Sequence, residues 1–270
     1  MKKLVIVILI LSGAFSCNTR NESLPVEKES EPIDLSIVTQ SYLDAPPNVD
    51  IYEYQKEQFR KQYAQYEFDK IYNEVMKDER MIKFMEFNSS TAARSSGTLS
   101  LTDDLGLSST MVSYLDQMTA LIPEEQETEI DIPLVQRGLE TIKSEIIANI
   151  NLSTEDREAL LVSADMYIQN LAGIITIIES ENSDSSGRVA GWLSRLIRSV
   201  VSVVATVVVG VVVGALAGLA IGGAPGVAVG AFWGGVSGVI IGIELTLADR
   251  CYAPFTCSSQ WQACSTGLCL

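Results

Sequence analysis

The 270 residues contain no histidine. Its absence removes the commonest general base, and with it every Ser-His or Cys-His nucleophile. No P-loop, GxSxG or HExxH string takes its place. Paired acids do occur, Asp103 with Asp104 and Glu124 with Glu125, but they stand beside helix starts or in loops, where they serve helix dipoles and solubility. A protein without enzymatic activity is expected. Cysteine is scarce as well: there are five, and four of them, Cys251, Cys257, Cys264 and Cys269, fall in the last twenty residues. Their spacing forms no paired CxxC units and no histidine is present to complete a mixed site, so neither a metal nor a cofactor is expected. Positive charge is in short supply too. Without Lys2 and Lys3 of the N-terminal segment, 17 basic face 34 acidic side chains, a net charge of −17, and no basic face is left for nucleic acid.

Charge of either sign is missing altogether from Ser199 to Ile243, forty-five residues between Arg198 and Glu244. Inside this stretch glycine recurs at every fourth position: Gly210, Gly214, Gly218, Gly222, Gly226, Gly230, Gly234, Gly238 and Gly242. The one break is GGAPG, Gly222 to Gly226, where Pro225 lacks an amide donor and is expected to end the helix preceding it. Two arms result, 199–222 and 226–243, of about 36 and 27 Å as helices, each a fit to the roughly 30 Å hydrocarbon core of a bilayer. Four residues turn a helix by about 400°, so the glycine column drifts slowly round each arm and lets two backbones touch. Lipid tails are as apolar as valine, so inside a membrane such close packing must supply the association. On an insertion scale the thirteen Val, Leu and Ile residues of the first arm contribute about −4 to −8 kcal/mol before glycine and hydroxyl penalties, and that arm should insert alone. The second, with six glycines, needs its partner. Trp233 lies near the middle of its arm rather than at an interface, and is expected to pack on the hairpin or on a neighbouring copy. Two other structures fit the same residues: the buried central hairpin of a soluble helical domain, and β-strands, which would be about 20 residues long against the usual 3 to 10.

The N-terminus, MKKLVIVILILSGAFSC, has the composition of a signal peptide (1–16): two lysines, an apolar run from Leu4 to Leu11, then small residues before Cys17. Residues 17–50 are polar, with Pro25, Pro32, Pro46 and Pro47 and the run EKESE, and read as a flexible tether. A helical bundle is expected over 51–180. Residues 51–87 carry the aromatic stripe Phe59, Tyr63, Tyr66, Phe68, Ile71, Tyr72 and Val75. A helix starting near Thr102 presents Leu107, Met111, Tyr114, Met118 and Leu121. A third opens at Asp131 and Pro133 with Val135, Leu139, Ile142, Ile146 and Ile150 on one face. A fourth follows the cap signal Ser153-Thr154-Glu155-Asp156 and presents Leu161, Ala164, Ile168, Leu171, Ile175 and Ile178. A Ser-rich linker and an amphipathic lead-in helix occupy 181–198, where Trp192, Arg195 and Arg198 suit a membrane interface. The tail, 244–270, holds the four clustered cysteines, which an oxidising compartment would join as two disulfides in one of three pairings.

The stretch Ala14-Phe15-Ser16-Cys17 resembles the lipobox of bacterial lipoproteins, whose cysteine carries lipid and becomes the mature N-terminus. Together with VVVGVVVGALAGLAIGG and GVAVGAFWGGVSGVIIG it resembles the two-helix glycine-zipper lipoproteins of bacterial outer membranes, the surface-antigen type, over about sixty residues. That resemblance implies an envelope protein anchored through Cys17 and embedded through its hairpin. The expected fold is all-α: a small helical bundle followed by a glycine-zipper hairpin and a short disulfide-containing tail. The expected role is that of an exported lipoprotein that binds membrane lipid and forms homo-oligomers through its glycines. The alternatives are a secreted membrane-active, bacteriocin-like toxin whose bundle shields the hairpin, and a soluble binding protein whose hairpin is simply its core.

Overall fold

The computed structural model describes residues 34–64, 67–87, 105–122, 130–182 and 192–252, with the backbone alone at 87, 181–182, 192–195 and 247–252. Eight helices lie within them, and no strand occurs among the described residues. They are α1 (Ile37–Leu43), α2 (Ile51–Gln62), α3 (Phe68–Val75), α4 (Glu79–Phe87), α5 (Ser109–Thr119), α6 (Ile132–Ala148), α7 (Thr154–Asn182) and α8 (Trp192–Tyr252). The β alternative is excluded for the arms, and the chain is all-α there.

Local chemistry sets four of the helix starts. Asp50, Ser108, Asp131 and Ser153 each accept a hydrogen bond from the amide three residues on, those of Glu53, Met111, Leu134 and Asp156, at 3.0 to 3.2 Å. The helix expected to begin near Thr102 starts seven residues later because Gly106 takes a left-handed turn (φ +68°) and Ser108 caps the N-terminus of α5. Residues 51–87 divide into three short helices, which lets the aromatic stripe fold on itself: Phe59 meets Tyr63 and Phe68 with ring centroids 4.5 and 5.4 Å apart.

The layering departs from the order along the chain. The apolar stretch is not a unit appended to a bundle; it is the bundle's centre. α7 makes the most extensive contact with α8, and α1, α3, α4 and α5 also pack on it. α6 lies outside, against α5 and α7. The side chains from Val203 to Gly218 and from Val227 to Ile243 are buried without interruption. The reason is arithmetical: helices without a polar face must be covered all round in water, and the amphipathic stripes of the other elements are the cover.

Two further corrections concern the ends of the expected domains. Residues 34–50, read as part of a tether over 17–50, include α1, which belongs to the folded body: Leu35 and Val38 are buried, and Thr39 reaches α7, while 17–33 lie outside the described residues. The polar composition of 34–50 hid a short stripe. Ile150, placed on the buried face of the third helix, is 90% exposed, because α6 ends at Ala148 and the chain turns there.

Candidate functional site

The break in α8 falls at Gly222 and Gly223, inside the GGAPG stretch where it was expected. Gly223 adopts φ +60°, a conformation that side chains with a Cβ rarely take, and Pro225 sits in the first turn of the second arm, where no amide donor is needed. The two arms then run antiparallel. Each four-residue step up the first is matched by a four-residue step down the second: Gly210 meets Gly234, Gly214 meets Gly230 and Gly218 meets Gly226. At all six positions a methyl group would overlap the facing carbonyl oxygen, so the backbones themselves are in contact. Farther from the tip, a Cβ at Gly238 would lie 2.6 Å from the Thr206 carbonyl oxygen, and one at Gly242 would lie 2.6 Å from Cα of Val203. The Thr206 hydroxyl donates to the Gly238 carbonyl at 2.8 Å and ties the arms near their mouth. Gly222 alone of the series has open space around it.

Eight of the nine glycines thus face the other arm of the same chain. The surface through which a homo-oligomer was expected is taken up, in the single chain, by the facing arm.

A sheath of side chains grips the hairpin from outside. Phe232 stacks on Phe59 with centroids 4.0 Å apart. Trp233, expected against the hairpin or a second copy, lies instead in an aromatic box of the sheath, 5.6 Å from Tyr52 and 4.8 Å from Tyr72 in an edge-on pose. Gly210 also makes room for Phe84 of α4, and Gly235, outside the four-residue series, for Met166 of α7. The Ser163 hydroxyl donates to the Val208 carbonyl at 2.9 Å. Two polar atoms of the second arm, Trp233 Nε1 and Ser237 Oγ, are buried with no hydrogen-bond partner. Burial pushes the Tyr52 phenol up to about 12, with help from the negative charges of Glu244 and Asp50. Glu244 is the first charge after the apolar arm, so this phenol marks the mouth of the hairpin.

Sequence reasoning missed one node. Asn170, fully buried on α7, accepts from the Thr39 hydroxyl at 2.8 Å and donates to the Leu35 carbonyl at 3.0 Å, while Gly173 opens the space into which Thr39 packs. The readable signal was a polar residue and a glycine one turn apart on a helix face that is otherwise apolar. Half of the α7 stripe is where it was expected: Ala164, Leu171 and Ile178 are buried, whereas Leu161, Ile168 and Ile175 are only partly so, and Leu160, Tyr167, Ile174 and Ile177 are buried beside them.

Among the other expected positions, Arg198 is exposed. The side chains of Trp192, Arg195 and Cys251, and all of Cys17, Cys257, Cys264 and Cys269, lie outside the described residues, as do Asp103, Asp104, Glu124 and Glu125. Among the described residues no group of three or more Cys, Asp or Glu side chains could hold a metal ion. Two helical stretches are long and apolar enough to cross a membrane by length and composition, Thr154–Ser180 and Leu196–Thr246, the second 89% buried within the fold over its most apolar window. No protein-family model, curated protein or solved structure matches the chain.

Proposed function

We propose that this chain is an exported, non-enzymatic, membrane-active protein that carries a bilayer-length helical hairpin through water inside a sheath of amphipathic helices, and releases the hairpin into lipid. The observation that carries the reading is the double construction of the core. One contact, arm against arm, is backbone on backbone through glycine; the other, arm against sheath, is aliphatic and aromatic side chains on one another. A core that only had to stay folded in water would gain more from larger residues in place of glycine, since each interior glycine costs a helix about 1 kcal/mol relative to alanine. Glycine contact does hold two helices together where no hydrophobic effect acts.

The sheath favours a shielded hairpin over one that resides permanently in lipid, because it occupies the surfaces that lipid would otherwise cover. Export through residues 1–16 and lipid attachment at Cys17 belong to the same proposal, and both place the chain next to a membrane. A second reading, a hairpin that never leaves the sheath, draws support from the ties between them: the Ser163 to Val208 hydrogen bond and the box around Trp233.

Dye release from phospholipid vesicles, combined with carbonate extraction of the bound protein, separates the two. The proposal expects release and carbonate-resistant retention by the mature chain. A chain that floats with no vesicle and releases no dye belongs to the second reading. Fractionation of the native protein beside Cys17→Ala tests the lipid anchor separately.

A further inference from the structure

The sheath does not close over the whole hairpin. Residues 220–224 are exposed, with Ile221 at 36%, and nothing charged lies nearer along the chain than Arg198 on one side and Glu244 on the other. Helix connections at a protein surface are ordinarily polar. This one reads Ala-Ile-Gly-Gly-Ala.

The direction of α7 shows what stands beside it. The Ser163 to Val208 hydrogen bond fixes one level shared by α7 and the first arm. From that level Asn182 lies 19 residues on and Trp192 lies 16 residues back, about 28 and 24 Å of helix rise. Were the two helices parallel, the ten residues from Asn182 to Trp192 would have to span about 52 Å, and ten residues reach at most about 34 Å. α7 therefore runs against the first arm, and its N-terminus points towards the tip. Thr154 reaches about 13 Å from the shared level and Ile221 about 20 Å, so the tip stands about one helical turn beyond the start of α7. The turn joining α6 to α7 lies at this end, and with it the exposed Ile147 (61%) and Ile150 (90%). The charges there are chiefly acidic, Glu155, Asp156 and Glu158 against Arg157.

Resting on the membrane-active reading above, we infer that this end of the molecule, the 220–224 tip together with Ile147 and Ile150 at the same end, is the surface that first engages a bilayer, and that the bilayer is zwitterionic rather than anionic. The tip leads because it brings no charge across the hydrocarbon, whereas Arg198 and Glu244 hold the mouth on the side of approach. The acidic first turn of α7 is repelled by anionic headgroups and tolerated by phosphatidylcholine.

The test uses the mature chain and its Ile221→Asp, Ile150→Asp and Leu134→Asp variants, with flotation on phosphatidylcholine vesicles and dye release as readouts. Leu134 is 54% exposed at the start of α6, the end away from the tip, and serves as the control. All three sites are solvent-exposed, so thermal melting is expected to be unchanged. Ile221→Ser is the second tip variant, which introduces no charge at the kink. Ile221→Asp is expected to lower vesicle partitioning at least ten-fold, Ile150→Asp about three-fold and Ile221→Ser by an intermediate factor, with Leu134→Asp within two-fold of the parent. Phosphatidylglycerol vesicles are expected to bind less than phosphatidylcholine. Equal binding by the parent and Ile221→Asp overturns the leading tip while leaving membrane activity standing, and so does an equal loss in Leu134→Asp. A parent chain that binds neither kind of vesicle overturns both.

Discussion

Gly214 and Gly222 belong to the same four-residue series, yet the structure gives them opposite fates, and one methyl group at each separates backbone packing from glycine propensity. A Cβ on Gly214 would overlap the Gly230 carbonyl oxygen, with the carbonyl carbon at 2.7 Å and the Gly234 nitrogen at 3.2 Å. These atoms are helix backbone and cannot rotate aside, so the arms must part locally by about 1 Å. Overpacking of this kind costs about 1 to 3 kcal/mol, against about 1 kcal/mol gained because alanine is the better helix former. Gly214→Ala is therefore expected to lower stability by up to about 2 kcal/mol, and the melting temperature by up to about 8 °C for a folded body of this size. At Gly222 nothing lies within 4 Å of a Cβ and φ is −157°, so alanine meets neither an overlap nor a left-handed backbone. Gly222→Ala is expected to be neutral, or stabilising by about 0.5 kcal/mol through the unfolded state. Urea unfolding followed by circular dichroism measures both. Gly230→Ala should match Gly214→Ala, and the double variant should cost less than the two singles together, because one separation relieves both overlaps. Equal effects at Gly214 and Gly222 would refute backbone contact as what the series provides.

Replacing Asn170 by leucine is expected to cost about 2 to 4 kcal/mol, because the Leu35 carbonyl and the Thr39 amide and hydroxyl lose their partner inside the core. Limited proteolysis should then cut within 34–50, and an unchanged cleavage pattern would count against α1 being held through this residue. Ser237→Ala is expected to stabilise the fold by about 1 kcal/mol, since it removes a buried hydroxyl that has no partner and adds helix propensity; a lower urea midpoint would contradict this. The Tyr52 phenol is raised from 10.0 to about 12 in the fold, so its contribution to stability is complete below pH 10 and is lost as pH climbs from 10 towards 12. Relative to Tyr52→Phe, the parent should lose stability across that window, and a difference that does not vary with pH would dispose of the idea.

Helix positions and buried faces were legible in the sequence wherever one stripe met one neighbour. Asp131 with Pro133 and Ser153 with Asp156 act as helix starts, and Val135, Leu139, Ile142 and Ile146 are all buried. Legibility failed where a helix serves two neighbours at once. α7 packs on the hairpin along one line and receives α1 and α6 along others, so its pattern averages towards the apolar all round, and of the expected stripe only Ala164, Leu171 and Ile178 are fully buried. The location of the break was legible in GGAPG, but the residue that makes it was not: Pro225 is the louder signal, whereas the chain turns on the positive φ of Gly223. The largest gap was spatial. An uncharged stretch has the same sequence signature whether lipid or protein surrounds it, and the helices that cover it come both from directly upstream, α7, and from more than a hundred residues away, α3 and α4.

The two interfaces of the core also answer differently to a change of medium. Sheath and hairpin are drawn together in water by burial of aliphatic and aromatic surface, as where Phe59 lies on Phe232. In hydrocarbon that drive disappears, because a lipid chain covers valine as well as leucine does. The arm-to-arm contact does not share this dependence. It rests on backbone approach and on the Thr206 to Gly238 hydrogen bond, both of which persist or strengthen in an apolar surrounding. On the proposed function, transfer from water to lipid is therefore expected to weaken one interface selectively and to free the hairpin as an intact pair. The box around Trp233 reports the step directly, since its partners Tyr52 and Tyr72 both belong to the sheath. In dodecylmaltoside micelles the near-ultraviolet circular dichroism of the aromatic residues should collapse while the far-ultraviolet helix signal stays. Tyr52→Phe with Tyr72→Leu should remove most of the same signal in buffer. A near-ultraviolet spectrum that survives the micelle unchanged would mean that the sheath holds the hairpin by something other than water.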